Sequence, residues 1–465
     1  MASLPFLHAL HDLKKKARDQ VGIRFDSSTL LIPGLILILI AYLFMPNQFE
    51  FALSLALFIA PVWLPILLIG GAWGLWCVLQ RSEFIAKQKY ILLEIKPPRS
   101  LVKTPLAMEA FFSAIHLTGG ESTWYSRFKG GIRPFYSLEM ASFEGQVHFF
   151  IWARASFRKL IEGQLYAQYP GVQIVEAPDY TRLISADPHE WRVWGCDFNA
   201  TGPNPIPIKT YIEYQLDSVQ KEPEQVDPLS NLIEFMSSAG KGENIWLQFV
   251  IRAHRGERYG AGPSSHVSTR LNAEGAAYTW RDEGKEIIET MRKKTRSPYT
   301  DPATGEEMAG FPNPTKGESE LMAAIDRNTT KLAYDVGIRA VYIAKPTHFD
   351  VGIVNHIVGL FKPFTNTGWN GINSTAWMKR FDDYPWEIGV EKRKNHYREK
   401  LVEHYRRRQF FYNPFFHDGL SGDETMILST EELATLFHIP SSSSGAPGLD
   451  RMQSTTGEAP LNLPT

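Results

Sequence analysis

Two long runs without a charged residue occupy most of the first 80 positions, and they constrain the fold more than any other feature of the sequence. The first run covers residues 27–48 and the second covers residues 51–80. A helix needs about 20 apolar residues to cross the ~30 Å hydrocarbon core of a bilayer. We therefore expect a transmembrane helical hairpin over residues 29–80, with a tight connection at residues 45–50.

Basic residues flank the expected hairpin on both sides, whereas its short connection carries only Glu50. Positive charge is enriched on the cytoplasmic side of membrane proteins. We therefore expect a multi-pass protein of the inner (cytoplasmic) membrane, with both termini and the soluble domains in the cytoplasm. A cleaved signal peptide fits poorly, because the first run starts late and a second follows at once. Residues 1–28 are expected to form an amphipathic, basic leader. The flanking basic residues are Lys14, Lys15, Lys16, Arg18, Arg24, Arg81, Lys87 and Lys89.

The overall composition excludes several classes of protein. The chain has 465 residues, with 49 Lys and Arg against 50 Asp and Glu, so it is neither a histone-like basic protein nor an acidic tail. A hydrophobic content of 44% is enough for a buried core. Two cysteines are too few for a disulfide scaffold or a multi-cysteine zinc site.

The part of the chain after the hairpin alternates strand-like and helix-like patterns. Its first portion reads β-α-β-β-α-β, which is the ferredoxin-like order of an antiparallel sheet with helices on one face. In this portion, Glu144-Gly145 between strand-like runs at residues 135–143 and 146–153 predicts a hairpin, and a helical run at residues 155–169 is stopped by Pro170-Gly171. A looser copy follows, with an expected strand at residues 208–216. The predicted fold class is α+β, with tandem ferredoxin-like domains at residues 81–200 and 201–390. Residues 255–317 would interrupt the second domain as an insertion that is either mobile or a specific contact surface.

A strongly basic helix is predicted next, and its partner is left open. Residues 391–408 contain eight Lys or Arg and three Glu, and Tyr397, Leu401 and Tyr405 form one apolar stripe. The helix either contacts nucleic acid or acidic lipid, or is a solvated helix docked by that stripe. Residues 391–440 are expected to form a helical segment and residues 441–465 a disordered Pro- and Ser-rich tail. The candidate contacts with phosphate, nucleic acid or lipid are Lys392, Arg393, Lys394, Arg406, Arg407 and Arg408.

No catalytic motif emerges from the sequence. A phosphate-binding loop needs Gly-Lys followed by Ser or Thr, but Gly240-Lys241 and Gly284-Lys285 precede Gly242 and Glu286. Zinc-protease, Cys-x-x-Cys and nucleophile-elbow patterns are missing as well. We therefore predict no catalytic residues, no cofactor and no metal. An unrecognised enzyme is the weakest of the alternatives.

A resemblance enters at residues 427–440, which read ILSTEELATLFHIP. This segment resembles the stretch before the ATPase core in DNA-translocating motors of the conjugation, type IV secretion and HerA-like class. There a Pro-rich stretch follows, similar to residues 459–464 (APLNLP). Residues 122–125, 168–170 and 334–339 also look like the membrane-linked N-terminal region of such proteins, a bacterial domain of unknown function.

The resemblance implies a function but also shows a departure. In the family a P-loop ATPase domain follows this stretch, whereas this sequence ends at Thr465. We therefore expect a non-catalytic, membrane-anchored component of a DNA or protein transfer apparatus. It would dock a separately encoded motor ATPase or sister subunits, and the alternative is a membrane-tethered nucleic-acid-binding protein. The candidate docking residues, which could equally pack on the chain's own body, are Leu433, Leu436, Phe437 and Ile439.

Overall fold

The fold is taken from a computed structural model. It describes residue 39 and residues 42–98, 101–121, 123–184, 189–217, 226–255, 278–300, 307–375, 389–411, 425–441 and 448–451. The leader at residues 1–28 and most of the first apolar run lie outside the described residues.

The described residues form a mixed α+β fold, as predicted. The strands are β1 (Tyr90–Lys96), β2 (Phe135–Phe143), β3 (Gln146–Arg154), β4 (Gln173–Ala177), β5 (Arg192–Ala200), β6 (Glu243–Ala253), β7 (Arg296–Thr300), β8 (Glu307–Pro312), β9 (Ala333–Ala344), β10 (Ile372–Thr375) and β11 (Met426–Ser429). The helices are α1 (Pro46–Phe58), α2 (Ala60–Lys87), α3 (Leu106–Ala114), α4 (Trp124–Phe128), α5 (Arg158–Gln168), α6 (Pro228–Ser237), α7 (Trp280–Lys294), α8 (Lys316–Thr330), α9 (Val351–Val358), α10 (Val390–Arg406) and α11 (Thr430–Leu436).

One large antiparallel sheet organises the soluble part of the chain. Its strands run in the order β10-β5-β9-β6-β2-β3-β1-β4, with β11 also paired to β9. The two central strands, β2 and β6, pair from Phe135↔Arg252 to Phe143↔Asn244. This pairing joins the two portions of the chain into a single continuous sheet.

Both faces of the sheet are covered. On one face, helices α3, α5, α6, α9 and α11 enclose the main hydrophobic core, which contains Phe111, Leu165, Met236, Ile357 and Leu433. The opposite face carries a smaller core in which Trp246 and Val341 pack with Val402 and Tyr405 of α10. Because both faces are covered, every residue of β6 and β9 is buried.

The N-terminal helices differ from the expected hairpin in their boundaries. The expected connection at residues 45–50 is mostly helical, since α1 begins at Pro46, and the break comes at Ile59 instead. Proline fits the first turn of a helix because that turn does not need its amide hydrogen. By length and composition, α2 is one helix that could cross a membrane, and none of the residues in its most apolar window is buried.

Two further expectations need correction. Residues 208–216 form turns and loop rather than a strand, and the strand in that part of the chain is β5, at Arg192–Ala200. The described part of the expected tail is folded, since Leu449 is buried and forms a bridge to Val147 of β3. In the insertion, whose role was left open, the described end is folded, because α7 packs against α8 and β7 pairs with β8.

Candidate functional site

A row of polar side chains crosses the sheet face beneath α10. The registers place Glu139 of β2 beside Gln248 of β6, Gln248 beside Arg339 of β9, and Arg339 beside Asp197 of β5. All four are buried. Arg339 Nε donates to Asp197 Oδ1 at 2.7 Å, so these two charges are paired inside the fold. Charged groups rarely lie in a protein interior without such partners.

Arg408, just after α10, neutralises the carboxylate of Glu139. Its Nε donates to Glu139 Oε1 at 2.9 Å, and its Nη1 donates to Asp179 Oδ2 at 2.7 Å. Burial lowers the pKa of Arg408, but the adjacent charges of Glu139 and Asp179 more than offset that effect. Burial likewise raises the pKa of Asp179, yet the hydrogen bonds and charge of Arg408 hold it below its usual value.

Ser137, Tyr180 and Gln248 also donate hydrogen bonds to Glu139, and the Ser137 hydroxyl lies 2.7 Å from Glu139 Oε1. The Tyr180 hydroxyl donates to Glu139 Oε2 and lies 2.8 Å from the hydroxyl of Tyr405. Gln248 Nε2 donates both to Glu139 Oε1 and to the backbone carbonyl of Tyr405, each at 3.1 Å. Burial and the negative charge of Glu139 raise the pKa of both tyrosines, which keeps them as neutral donors.

A second buried cluster surrounds Asp335 on the same face. Arg252 Nη2 and His254 Nδ1 each lie 2.8 Å from one of its two carboxylate oxygens. Arg133 approaches to 4.0 Å. Burial raises the pKa of Asp335, but Arg252 and His254 more than offset it, so the group remains ionised far into acid.

Phe410 lies flat on the sheet between these clusters. A Cβ at Gly337 would collide with the Phe410 ring, so residue 337 must be glycine for this contact. The guanidinium of Arg339 lies 4.5 Å from the centre of the same ring. Asp335, Gly337 and Arg339 alternate along β9 and so share one face of the sheet. Asp335 binds Arg252 and His254, whereas Gly337 and Arg339 contact Phe410.

The structure separates the six basic residues that were predicted to act together. Over the 16 residues from Lys392 to Arg408 a helix rises ~24 Å. Lys392 and Arg393 are exposed, and Lys394 pairs with Glu391 at 3.5 Å. Arg406 donates to the carbonyls of Thr181 and Ile184, Arg407 pairs with Glu403, and Arg408 is buried. The described helix therefore presents no continuous patch of these six cations.

The four candidate docking residues lie in the main hydrophobic core. Leu433, Leu436 and Phe437 are completely buried, and Ile439 is 1% exposed. The Phe437 ring makes edge contacts with Phe149 and Phe249 on the floor of the core. In this structure the four residues pack on the chain's own body, which is the alternative that the sequence left open.

The segment that carried the resemblance has its own buried polar contacts. Ser429 and Glu432 form a capping box at the start of α11. Glu431 is held by Arg327 at 3.1 Å and Lys331 at 2.9 Å. Burial raises the pKa of Glu432 to about 7, despite hydrogen bonds from the amides of Ser429 and Ile208.

One group in the described residues has ligand types suited to a metal ion. Glu94, His148 and Asp450 have ligand atoms within 4.8 Å of one another. However, the ammonium of Lys96 lies 2.9 Å from Asp450 and 3.4 Å from Glu94. A metal ion would have to displace this resident cation, so the arrangement fits an ion-pair cluster better than a metal centre.

These contacts define what the face can do. Its carboxylates are paired with arginine, lysine or histidine of the same chain, so the arrangement holds layers of the fold together. The signal for it in the sequence is a charged residue inside an otherwise apolar strand, as at Glu139, Asp197 and Arg339. That signal shows that a partner is needed but does not say which residue provides it.

Comparison with known proteins adds one finding. No curated protein and no solved structure matches the chain. A family model described as a domain of unknown function, DUF8128, matches residues 80–451. This range includes the whole sheet, α10, α11 and the docked Gly448–Arg451 segment, and the chain therefore belongs to the DUF8128 family.

Proposed function

We propose that this protein is a non-catalytic, membrane-anchored docking component of a transfer apparatus of the conjugation or type IV secretion type. In this proposal α2 crosses the inner membrane and the sheet domain lies in the cytoplasm. The observation that carries it is the contrast within α2: its apolar side chains are exposed, while its basic end is packed onto the sheet domain.

The exposed part of α2 has the length and composition of a membrane span. Residues 60–80 carry no charge and would extend ~31 Å as a helix, close to the thickness of the hydrocarbon core. Large apolar side chains such as Ile66, Leu67 and Ile69 are all more than half exposed. A bilayer would remove this surface from water, which is favourable by roughly 25 cal/mol per Å².

The other end of α2 is joined firmly to the body. Phe84 and Ile85 pack against a core that includes Phe135 and Phe410. A Cβ at Gly130 would collide with the backbone carbonyl of Gln80, and its φ of +72° suits glycine. These contacts would hold the sheet domain at a fixed place relative to the membrane and would transmit force between the two, as a docking component requires.

We further propose that the sheet consists of two ferredoxin-like units joined edge to edge. In the first half the strand order β4-β1-β3-β2 has the connections β-α-β-β-α-β. In the second half β10-β5-β9-β6 places the fourth, first, third and second strands in the same order. Repetition of one order on both sides of the β2–β6 pair supports a duplicated unit.

The proposed partner is a P-loop motor ATPase on a separate chain, or sister subunits of the same apparatus. This part rests on the resemblance of residues 427–440. Because Leu433 and Phe437 are buried, docking would use surface outside the core of α11. The ion pairs of the sheet face support a structural role for the domain over a catalytic one.

Membrane extraction tests the anchor. The full chain should stay in the membrane fraction after alkaline carbonate treatment. A variant with Leu67→Lys and Ile69→Lys should lose this retention, because two charges in a span are costly. The matched control is Leu183→Lys, at a residue of the sheet domain that is 78% exposed. Release of the wild-type chain would contradict a membrane anchor, and equal retention of the double variant would contradict α2 as the span that holds the chain in the membrane.

Co-purification tests the docking role. Affinity capture of the full chain from membranes in mild detergent should recover a P-loop ATPase in stoichiometric amount. The matched control is the Leu67→Lys, Ile69→Lys variant, captured from the whole detergent lysate, since it would leave the sheet domain intact but away from the membrane. Capture of the chain with lipid alone would contradict a motor partner.

A further inference from the structure

A short segment of the sheet domain lies beside α2, well before that helix reaches its basic end. We call residues 123–131, which include α4, the interfacial loop. Phe128 stacks on Trp73 at 5.9 Å between ring centroids and makes a tilted contact with Trp76 at 5.6 Å. These two tryptophans lie eight and five residues before Arg81, which places the contact ~7–12 Å toward the bilayer from that charge.

The side chains of the interfacial loop suit a bilayer interface. Tyr125 is 56% exposed and Phe128 is 37% exposed, although both are large aromatic residues. The ammonium of Lys129 lies 4.5 Å from the centre of the Tyr125 ring. Tyrosine and tryptophan are enriched where headgroups meet acyl chains, and lysine is attracted to anionic headgroups there.

Several backbone groups of the loop are hydrogen-bonded within the loop itself. The Ser126 amide donates to Thr123 Oγ1, and the Thr123 amide donates to Ser126 Oγ. The Gly131 amide donates to the Ser126 carbonyl at 2.8 Å. Such internal pairing lowers the cost of moving these backbone groups from bulk water toward the hydrocarbon of a bilayer.

Close backbone packing sets the position of the loop against α2. Gly130 contacts the backbone of Gln80 so closely that no larger residue fits. If α2 spans the membrane, this contact holds the aromatic side chains of the loop at the depth of Trp73 and Trp76. The loop cannot stay in water while α2 is inserted to Gln80.

We infer that the interfacial loop is a second membrane contact, with Tyr125 and Phe128 inserted into the lipid interface beside α2 and Lys129 at the headgroups. The inference rests on the proposed membrane span, and it adds a second lipid contact that belongs to the sheet domain. The sheet domain would then be held to the membrane at two adjacent points, which fixes its tilt as well as its distance.

Site-specific fluorescence tests this inference. The full chain, with Cys77→Ala and Cys196→Ala, would be reconstituted into vesicles of phosphatidylcholine and phosphatidylglycerol. A single Tyr125→Cys would carry an environment-sensitive fluorophore, and retained folding would be checked by thermal unfolding. Quenchers would be a nitroxide at a shallow acyl position and iodide in water. Two controls carry the same label: Leu67→Cys within α2, and Leu332→Cys, which is 42% exposed on the sheet domain.

The shallow nitroxide should quench the label at Tyr125 at least about threefold more than the label at Leu332, with iodide showing the reverse. Lys129→Cys provides a second labelled position. Its label should also be quenched more by the nitroxide and less by iodide than the label at Leu332, with nitroxide quenching weaker than at Tyr125. If Tyr125→Cys and Lys129→Cys behave like Leu332→Cys while Leu67→Cys is quenched from lipid, the second contact is wrong and the span remains. If Leu67→Cys is also quenched by iodide, the span itself fails.

Discussion

Arg408 and Glu139 form a buried ion pair although 269 positions separate them in the sequence, with Nε 2.9 Å from Oε1. The side chain of Glu139 is fully buried, and that of Arg408 is 1% exposed. Arg408 also has a φ of +50°, a left-handed conformation that costs a non-glycine residue roughly 1–2 kcal/mol. The pair ties the end of α10 to the middle of the sheet and compensates for that strain.

Removing one member of this pair should strongly destabilise the fold. Arg408→Gln leaves the Glu139 carboxylate buried and without its cation, so we expect the free energy of unfolding to fall by about 3–5 kcal/mol. Denaturant unfolding of the full chain in detergent, followed by tryptophan fluorescence, measures this. Arg407→Gln is the control, because its pair with Glu403 is on the surface and should cost about 0.5 kcal/mol or less.

Adding Glu139→Gln to Arg408→Gln tests the cause. The double variant should be more stable than the single Arg408 variant, because two neutral groups replace an unpaired charge. If the double variant is as unstable as the sum of both singles, the loss comes from packing and not from the ion pair.

Gly337→Ala should disrupt the packing of Phe410 against β9. The new methyl group would collide with the aromatic ring, and such overpacking costs about 1–3 kcal/mol. Adding Phe410→Leu, which replaces the ring by a smaller side chain, should recover part of the lost stability. Gly163→Ala is the matched control, since nothing lies within 4 Å of its Cβ position in α5, and it should be neutral or stabilising by up to ~1 kcal/mol. Equal thermal midpoints for the two alanine variants would contradict this role of Gly337.

Leu433→Ala tests whether α11 stabilises the domain or binds a partner. Leu433 is fully buried in the main core, so truncation should cost about 2–5 kcal/mol. Leu332→Ala, at a partly exposed position one strand away, should cost well under half of that. Measurement is again by denaturant unfolding of the purified full chain. An unchanged free energy of unfolding with lost partner capture would restore the docking role of this residue.

Local sequence patterns predicted much of the first half of the fold. The alternation in residues 135–143 and 146–154, with Glu144-Gly145 between them, gives a hairpin in which both turn residues have positive φ. The helix at Arg158–Gln168 ends before Pro170-Gly171, as its sequence indicated. These features depend on residues close together in the chain, so the sequence alone was sufficient to find them.

Local sequence patterns could not predict which distant strands and side chains pair with one another. The join of β2 to β6 depends on two strand edges about 100 residues apart, and neither edge carries a distinct local signal. The basic run at residues 406–408 looked like a surface patch, but Asp179 and Glu139 neutralise part of it. Charge counted along the chain does not reveal partners that lie more than 200 positions away.

Glu432 gives the fold a dependence on pH that the sequence did not indicate. Burial raises its pKa to about 7, above the ordinary value of 4.5. Because the folded chain favours the neutral acid, its stabilising contribution is complete below about pH 4.5 and is lost as the pH rises through about 7. This loss amounts to about 3 kcal/mol, at 1.36 kcal/mol per pKa unit.

In Glu432→Gln the side chain stays neutral at every pH, and its amide oxygen can still accept a hydrogen bond from the Ser429 amide. The difference in free energy of unfolding between Glu432→Gln and wild type should therefore change by about 3 kcal/mol from pH 4.5 to 8 in favour of the variant. Glu318→Gln is the matched control, because Glu318 holds the same capping-box position in α8 but is far less buried than Glu432, and its pKa is lowered by hydrogen bonds from Thr315. Its difference from wild type should stay flat over this range, and the same flat profile for Glu432→Gln would show that Glu432 is ionised in the folded chain at neutral pH.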